Sequence, residues 1–375
     1  MIINNAKVYR NGHFESASIE FDSHIRSFSP GEGMDACGAY IIPGLIDVHT
    51  HGAMGIDASD CTAEQIHHLA QFYSDNGVTS FCFTTLTVPA DELRSAMKNI
   101  RAYERFGGEA KCAGVHLEGP FVSRGKCGAQ NPDNILKPDI ALFNELNELS
   151  GGIVRLITVA PEVEGALDFI REASKVCTVS LGHSTADYDQ AMAGFEAGAT
   201  HVTHLFNGME PFHHRKPGLV GAALTAGANV ELICDGVHIH PAMILAVHKM
   251  FGDRLIIVSD SLRCAGLCDG RYNLGGLPMI VRDGRATLLD GTIAGSSSNL
   301  LQELRNVVSY GVPLEAAVKA MTETPAKDIG VFDSIGSLET GKCADFLVLN
   351  KDLKLMATFI DGKLVNGTTD FESVK

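Results

Sequence analysis

Ile41-Ile42-Pro43-Gly44-Leu45-Ile46-Asp47-Val48-His49-Thr50-His51-Gly52 is an apolar run that stops at two histidines. Residues two apart on a strand leave on the same face, so His49 and His51 can converge on one ion. Seven more short runs rich in β-branched residues follow, over 78 to 86, 112 to 117, 153 to 159, 176 to 181, 199 to 205, 230 to 234 and 254 to 259. Between several of them lie segments of helical character. Residues 62 to 76 open with Thr62 and Gln65 in capping-box spacing and stop at Gly77, and residues 162 to 175 and 185 to 197 carry apolar positions at helical intervals. Pro241 suits the first turn of a helix reaching about Phe251. Strands alternating with helices imply a parallel sheet, and eight such units predict a (β/α)8 TIM barrel.

In such a barrel the reactive groups stand at the C-terminal ends of the strands. The run ends here carry His49 and His51, Glu118, His183, His204, His238 and Asp260. Glu118 precedes Gly119-Pro120, which stops its strand, and a buried carboxylate needs a cationic partner. Glu118, His183 and His204 supply three ligands and leave room for water, as a catalytic metal requires. Asp260, directly after Leu255-Ile256-Ile257-Val258-Ser259, is placed to take a proton from an activated water and pass it to a leaving nitrogen, first general base and then general acid. His116 shares the face of Glu118 and suits a supporting position rather than a ligand; His201 faces elsewhere and reads as structural. Arg215 lies in Phe212-His213-His214-Arg215-Lys216-Pro217-Gly218, where a planar guanidinium can hold a phosphate or carboxylate, although a solvated loop accounts for it equally well.

Both ends of the chain read differently. Asn11-Gly12 lies between Lys7-Val8-Tyr9 and Phe14-Glu15-Ser16, and Asp361-Gly362 between Ala357-Thr358-Phe359-Ile360 and Lys363-Leu364-Val365, each the dipeptide of a tight hairpin. Residues 1–44 and 336–375 are therefore expected to build one small β-sandwich domain from both termini, around a barrel over 45–335. Asp283-Gly284 and Asp290-Gly291 mark a further hairpin after the eighth run.

With 45 acidic and 30 basic side chains the 375-residue chain carries a net charge of −15, which argues against a nucleic-acid surface. No apolar run approaches the ~20 residues needed to cross a bilayer, and the N-terminus lacks the form of a signal peptide. The 10 cysteines are scattered without paired spacing and read as buried thiols. A soluble, cytoplasmic protein is expected. Gly-x-Ser-x-Gly, Gly-x-Gly-x-x-Gly and the P-loop are missing from the sequence, so serine hydrolases and nucleotide-binding enzymes lack their usual marks.

Pro43 to Gly52, with Thr324-Pro325-Ala326 and Gly336-Ser337-Leu338-Glu339-Thr340-Gly341-Lys342-Cys343-Ala344-Asp345, resembles the amidohydrolase superfamily. His116-Leu117-Glu118-Gly119-Pro120-Phe121, Gly128-Ala129-Gln130-Asn131-Pro132, Gly182-His183-Ser184, Thr203-His204-Leu205-Phe206-Asn207-Gly208-Met209 and Asp235-Gly236-Val237-His238 together resemble the N-acetylglucosamine-6-phosphate deacetylase family within it, over about residues 1 to 366. The resemblance implies Glu118, His183 and His204 as metal ligands, with zinc or ferrous iron as the ion. It implies one or two ions per subunit, the second at His49 and His51. It also implies Asp260 as acid/base, and Gln130 and His238 as sugar contacts. Asn207 and Gly208 would hold the 6-phosphate together with Arg215 from a neighbouring subunit, hence a homodimer. The implied reaction releases acetate and glucosamine 6-phosphate. Another amidohydrolase, acting on a cyclic amide or an aminated nucleobase, is the nearest rival; the lysine usual after the fourth strand of ring-amide hydrolases is replaced here by Thr158-Val159-Ala160-Pro161-Glu162. A non-catalytic sugar-phosphate-binding barrel is the rival of another kind. Cys264, beside Asp260 in sequence, has no assigned role.

Overall fold

The computed structural model describes residues 1–371. Among them, eight parallel strands run in sequence order around a barrel: Leu45–Thr50, Val78–Thr85, Lys111–Glu118, Val154–Val159, Thr178–Leu181, His201–Val202, Asn229–Ile233 and Leu255–Val258. The barrel closes just beyond the strands proper. Asp260 N–H donates to His49 O (2.9 Å) and His51 N–H to Ser261 O (2.8 Å), linking the eighth strand end to the first. Helices follow the strands on the outside, and the Thr62–Gln65 capping box forms as its spacing predicts, at the start of helix Ala63–Asp75. This is the (β/α)8 barrel that the runs predict.

The opening run divides where one strand was expected. Tyr40–Pro43 pairs antiparallel with Phe346–Leu349 in a sheet made by the termini, whereas Leu45–Thr50 belongs to the barrel. Gly44 sits at the junction because the barrel wall comes too close for anything larger: a Cβ there would lie 2.0 Å from Thr79 Oγ1. Among the described residues the terminal sheet has eight strands, and Asn11-Gly12 and Asp361-Gly362 both turn with positive φ, as tight hairpins require. Four strands in a flat sheet span about 14 Å. Yet Phe21 and Phe346, on strands three places apart, meet at 4.9 Å between ring centroids. The sheet therefore curls over a core of Ile3, Val8, Phe21, Phe346, Val348 and Phe359, as a sandwich does. Lys111, at the start of the third barrel strand, bridges to it through Asp345 (2.8 Å) and Asp361 (2.6 Å).

After the eighth strand a three-stranded antiparallel insert, Gly270–Leu274, Leu277–Arg282 and Arg285–Leu288, rises over the barrel mouth. Its second turn is the expected Asp283-Gly284; its first, Gly275-Gly276, was not foreseen.

Candidate metal centre and active site

Five side chains from the strand ends meet at Glu118. Its Oε1 lies 2.9 Å from His204 Nε2, 3.1 Å from His183 Nε2 and 3.4 Å from His49 Nε2, and its Oε2 lies 3.2 Å from His51 Nε2. Asp260 Oδ1 faces the same point, 3.2 Å from His51 Nε2 and 3.4 Å from His49 Nε2. All six groups are buried.

The far side of each ring decides what this cluster lacks. His49 Nδ1–H donates to Glu231 Oε2 (2.8 Å), His51 Nδ1–H to Thr84 O (3.1 Å) and His183 Nδ1–H to Lys126 O (2.9 Å). Because those partners only accept, the protons of three rings are fixed at Nδ1, and the Nε2 lone pairs point at carboxylate oxygens and at one another. His183 and His204 bring Nε2 atoms within 3.1 Å, and His49 and His51 within 3.3 Å. Lone pairs crowded this way repel unless cations lie between them. The donor set, imidazole nitrogens with a carboxylate and with outer acceptors fixing each tautomer, is that of a divalent metal site. Among the described residues three overlapping groups lie close enough to hold an ion: Glu118, His183 and His204; His49, His51 and Glu118; and His49, His116 and Glu231, the last already tied by the bond from His49 Nδ1–H to Glu231 Oε2.

Burial alone would raise the Glu118 carboxyl, but positive charge at the ring nitrogens of His49 and His183, which cations held there would replace, outweighs it and holds the carboxyl well below its ordinary range. The same contest at Asp260, burial against His49 and His51, also ends with the carboxyl lowered. Both are therefore anions at neutral pH. His183, His204 and Asp260 have φ of 46°, 26° and 46°, a left-handed conformation that costs non-glycine residues strain and persists only where surrounding bonds impose it. Glu162 supplies part of that restraint, accepting from Ser184 Oγ (2.7 Å) and from the Thr185 amide (2.6 Å).

The cluster forms the floor of a cleft of about 200 Å³. Gln130, Asn207, Gly208 and His238 line it. Gln130 donates its amide to Glu118 Oε2 and accepts from the Thr87 N–H (2.7 Å), so it also holds the central carboxylate in place. Asn207 Nδ2 is buried with no partner among the described residues, a free donor beside the cleft. Gly208 is required: with φ 61°, a Cβ there would lie 2.9 Å from His183 Nδ1. His238 is fixed by Asp235 (2.8 Å) and the Ala294 carbonyl (2.7 Å).

Arg215 is not brought to this cleft. It is exposed on the loop after the sixth strand, its Nη1 2.7 Å from His214 Nε2, in a separate groove with Thr185, Asp187 and Glu210. His116 bonds Thr158 Oγ1 (2.8 Å) and packs edge-on to His49, with ring centroids 4.6 Å apart, and His201 is fully buried below. Cys264 is buried, and that burial pushes its thiol up to about 11, an unreactive state.

Some contributors escaped the sequence. Glu231 interrupts Val230-Glu231-Leu232-Ile233, and a charge inside an apolar strand was the available signal. Leu274 and Thr292 to Gly295 form the roof, placed there by the insert, and no local pattern marks that.

Residues 40–365 match the model of the amidohydrolase family. The chain belongs to that family. It is 36% identical over 332 residues to the N-acetylglucosamine-6-phosphate deacetylase of Bacillus subtilis, covering 86% of this chain and 84% of that protein. It is equally 36% identical, over 330 residues, to an N-acetylgalactosamine-6-phosphate deacetylase of Escherichia coli O157:H7, covering 87% and 88%. Among solved structures, a mutant N-acetyl-D-glucosamine-6-phosphate deacetylase of Mycobacterium smegmatis, in complex with N-acetyl-D-glucosamine-6-phosphate, superposes with a TM-score of 0.91 at 30% identity, over 97% of this chain and 99% of that one. A D-hydantoinase from a Bacillus species shares the fold alone, with a TM-score of 0.65 at 14% identity.

Proposed function

We propose that this chain hydrolyses the acetamido bond of N-acetylglucosamine 6-phosphate to glucosamine 6-phosphate and acetate, in the breakdown or recycling of amino sugars. One observation carries the reading: His183 and His204 bring their Nε2 atoms within 3.1 Å of Glu118 Oε1, with the Asp260 carboxylate across from them, on the floor of a cleft. The similarity to deacetylases over most of the chain agrees with it.

Glu118, His183 and His204 would hold a zinc or ferrous ion, and His49 and His51 a second one beside it. Such an ion polarises a carbonyl and makes water a better nucleophile. The protein's own part is proton traffic and position. Asp260 accepts a proton from the attacking water as the new C–O bond forms, then delivers it to the nitrogen as the C–N bond breaks. Acetate and the free amine are the products. Leu86, Leu262 and Leu274 give the cleft apolar walls, which limit water around the reacting carbonyl. His238 and Gln130 face the sugar, and Asn207 and Gly208 its phosphate.

Arg215, exposed and away from its own cleft, is assigned to the phosphate site of a second copy of the chain, in a homodimer. The described residues include no helix long and apolar enough to cross a membrane, and all ten cysteines are free. Free thiols support a cytoplasmic setting.

The test is acetate release by metal-replete protein from N-acetylglucosamine 6-phosphate, N-acetylgalactosamine 6-phosphate, unphosphorylated N-acetylglucosamine and a cyclic amide. The equal identity to the galactosamine enzyme favours including the second sugar. Turnover of the cyclic amide alone would discard the substrate and keep the fold.

A further inference from the structure

We propose that Glu231 is the positioning residue of this metal centre, coupling its two halves through a single carboxylate oxygen. The inference deepens the metal reading above and rests on it. Glu231 lies on the seventh strand and points inward from its middle, with no solvent exposure. A fully buried carboxylate is costly unless its hydrogen bonds compensate, so the groups it bonds show why it is there.

All of its direct side-chain bonds go to the metal centre. Oε2 accepts from His49 Nδ1–H at 2.8 Å and from the backbone N–H of His204 at 3.1 Å. The backbone carbonyl of the same residue accepts from the Leu205 N–H at 2.8 Å. The other oxygen, Oε1, has no hydrogen-bond partner among the described residues; His201 Nε2 lies 3.9 Å from it. Among the described residues, the hydrogen bonds of the Glu231 side chain thus go to His49 and His204 alone.

The two bonds act on different halves of the site. Toward His49, the carboxylate fixes the tautomer with its proton at Nδ1, aims the Nε2 lone pair at Glu118 and Asp260, and raises the basicity of that nitrogen. Toward His204, it pins the amide of a ligand whose φ of 26° is strained for a residue with a side chain. His204 belongs to the Glu118–His183–His204 set and His49 to the His49–His51–Glu118 set. One oxygen thus orients a member of each.

The prediction separates the two arms. Metal-free protein is titrated with zinc against a chromophoric chelator, using Glu231→Ala and Glu231→Gln in the natural chain and in a His49→Ala background. Glu231→Ala should weaken zinc binding about 10–100-fold, the usual effect of losing a supporting partner of a metal ligand. It should still do so when His49 is already absent, because the His204 amide loses its acceptor either way. Glu231→Gln keeps an oxygen for that amide and loses only the charge on His49. Its affinity should fall about tenfold in the natural chain and stay within about twofold in the His49→Ala background. Melting temperatures of the metal-free variants give the readout that a merely structural role would move on its own.

Natural affinity in both Glu231 variants would overturn the proposal, whatever their melting temperatures. So would an equal loss for Glu231→Gln with and without His49. If Glu231→Ala does not fold, the glutamine pair decides the matter alone. Failure of the natural chain to bind zinc at all is distinguishable, since it overturns the metal reading itself and this inference with it.

Discussion

Asp260→Asn removes a charge and a proton carrier while leaving shape almost unchanged. Asp260 Oδ1 is 3.2 Å from His51 Nε2 and 3.4 Å from His49 Nε2, and an asparagine oxygen can keep both approaches. The Glu118–His183–His204 set does not include it, so the metal should stay bound. Proton transfer by a positioned side chain contributes about 10²–10⁴-fold, and this carboxylate serves twice in sequence on one reaction path. A loss of roughly 10³ in kcat is expected, which corresponds to about 4 kcal/mol of barrier. KM should change little, because the substrate's phosphate and ring are held by other groups. The assay is acetate release, with metal content of the same preparation measured by elemental analysis. Activity within tenfold of the natural chain, with metal in place, would refute the assignment, because some other group would then be moving the proton. Loss of metal from the asparagine variant would make Asp260 a ligand and refute the division of roles.

Arg215→Ala should raise KM for the phosphorylated sugar by about 10- to 100-fold, as loss of a charge-assisted bidentate contact does, and leave turnover of the unphosphorylated sugar unchanged. Mixed with Asp260→Asn chains and allowed to exchange subunits, it should recover activity at about a quarter of the sites, those in mixed dimers that join a native Arg215 to a native Asp260; no recovery would place Arg215 in its own subunit. Chelation should abolish turnover, with zinc or ferrous iron restoring it, and excess ion at ~1,000 times its dissociation constant should stabilise the fold by about 4 kcal/mol in thermal unfolding. Lys111→Met strips Asp345, whose side chain is only 4% exposed, of its cation. A stability loss of about 3 kcal/mol by denaturant titration is expected, with activity retained at low denaturant.

The barrel was legible because its strands announce themselves. Each apolar run between turn signals became a strand within a few residues of its expected bounds, and the reactive residues fell where barrel strands end. The sixth run shows the limit: from 199 to 205 only His201–Val202 is hydrogen-bonded as strand, because His204 and Phe206 turn with positive φ, which brings His204 Nε2 to Glu118. Sequence periodicity cannot carry such a departure, since local backbone strain is set by tertiary partners such as Glu231. The first run, counted as one strand, is one apolar stretch serving two sheets on either side of Gly44.

The site divided along the same line. Ligand-type residues were readable because His and Glu at strand ends have few other uses. The roof over the cleft was not, since Thr292 to Gly295 become a wall only through the insert that carries them across the barrel mouth. Gln130 was anticipated for the sugar, and its clasp on Glu118 emerged only in three dimensions. Arg215 shows the opposite case, a residue whose chemistry is plain and which the fold leaves exposed in a separate groove.

The most direct test of the account is a comparison of acetate release from N-acetylglucosamine 6-phosphate and from N-acetylglucosamine by the metal-replete protein. The account predicts efficient turnover that depends on both the metal and the phosphate. Binding of the sugar phosphate without release of acetate, in protein shown to hold its metal, would contradict it.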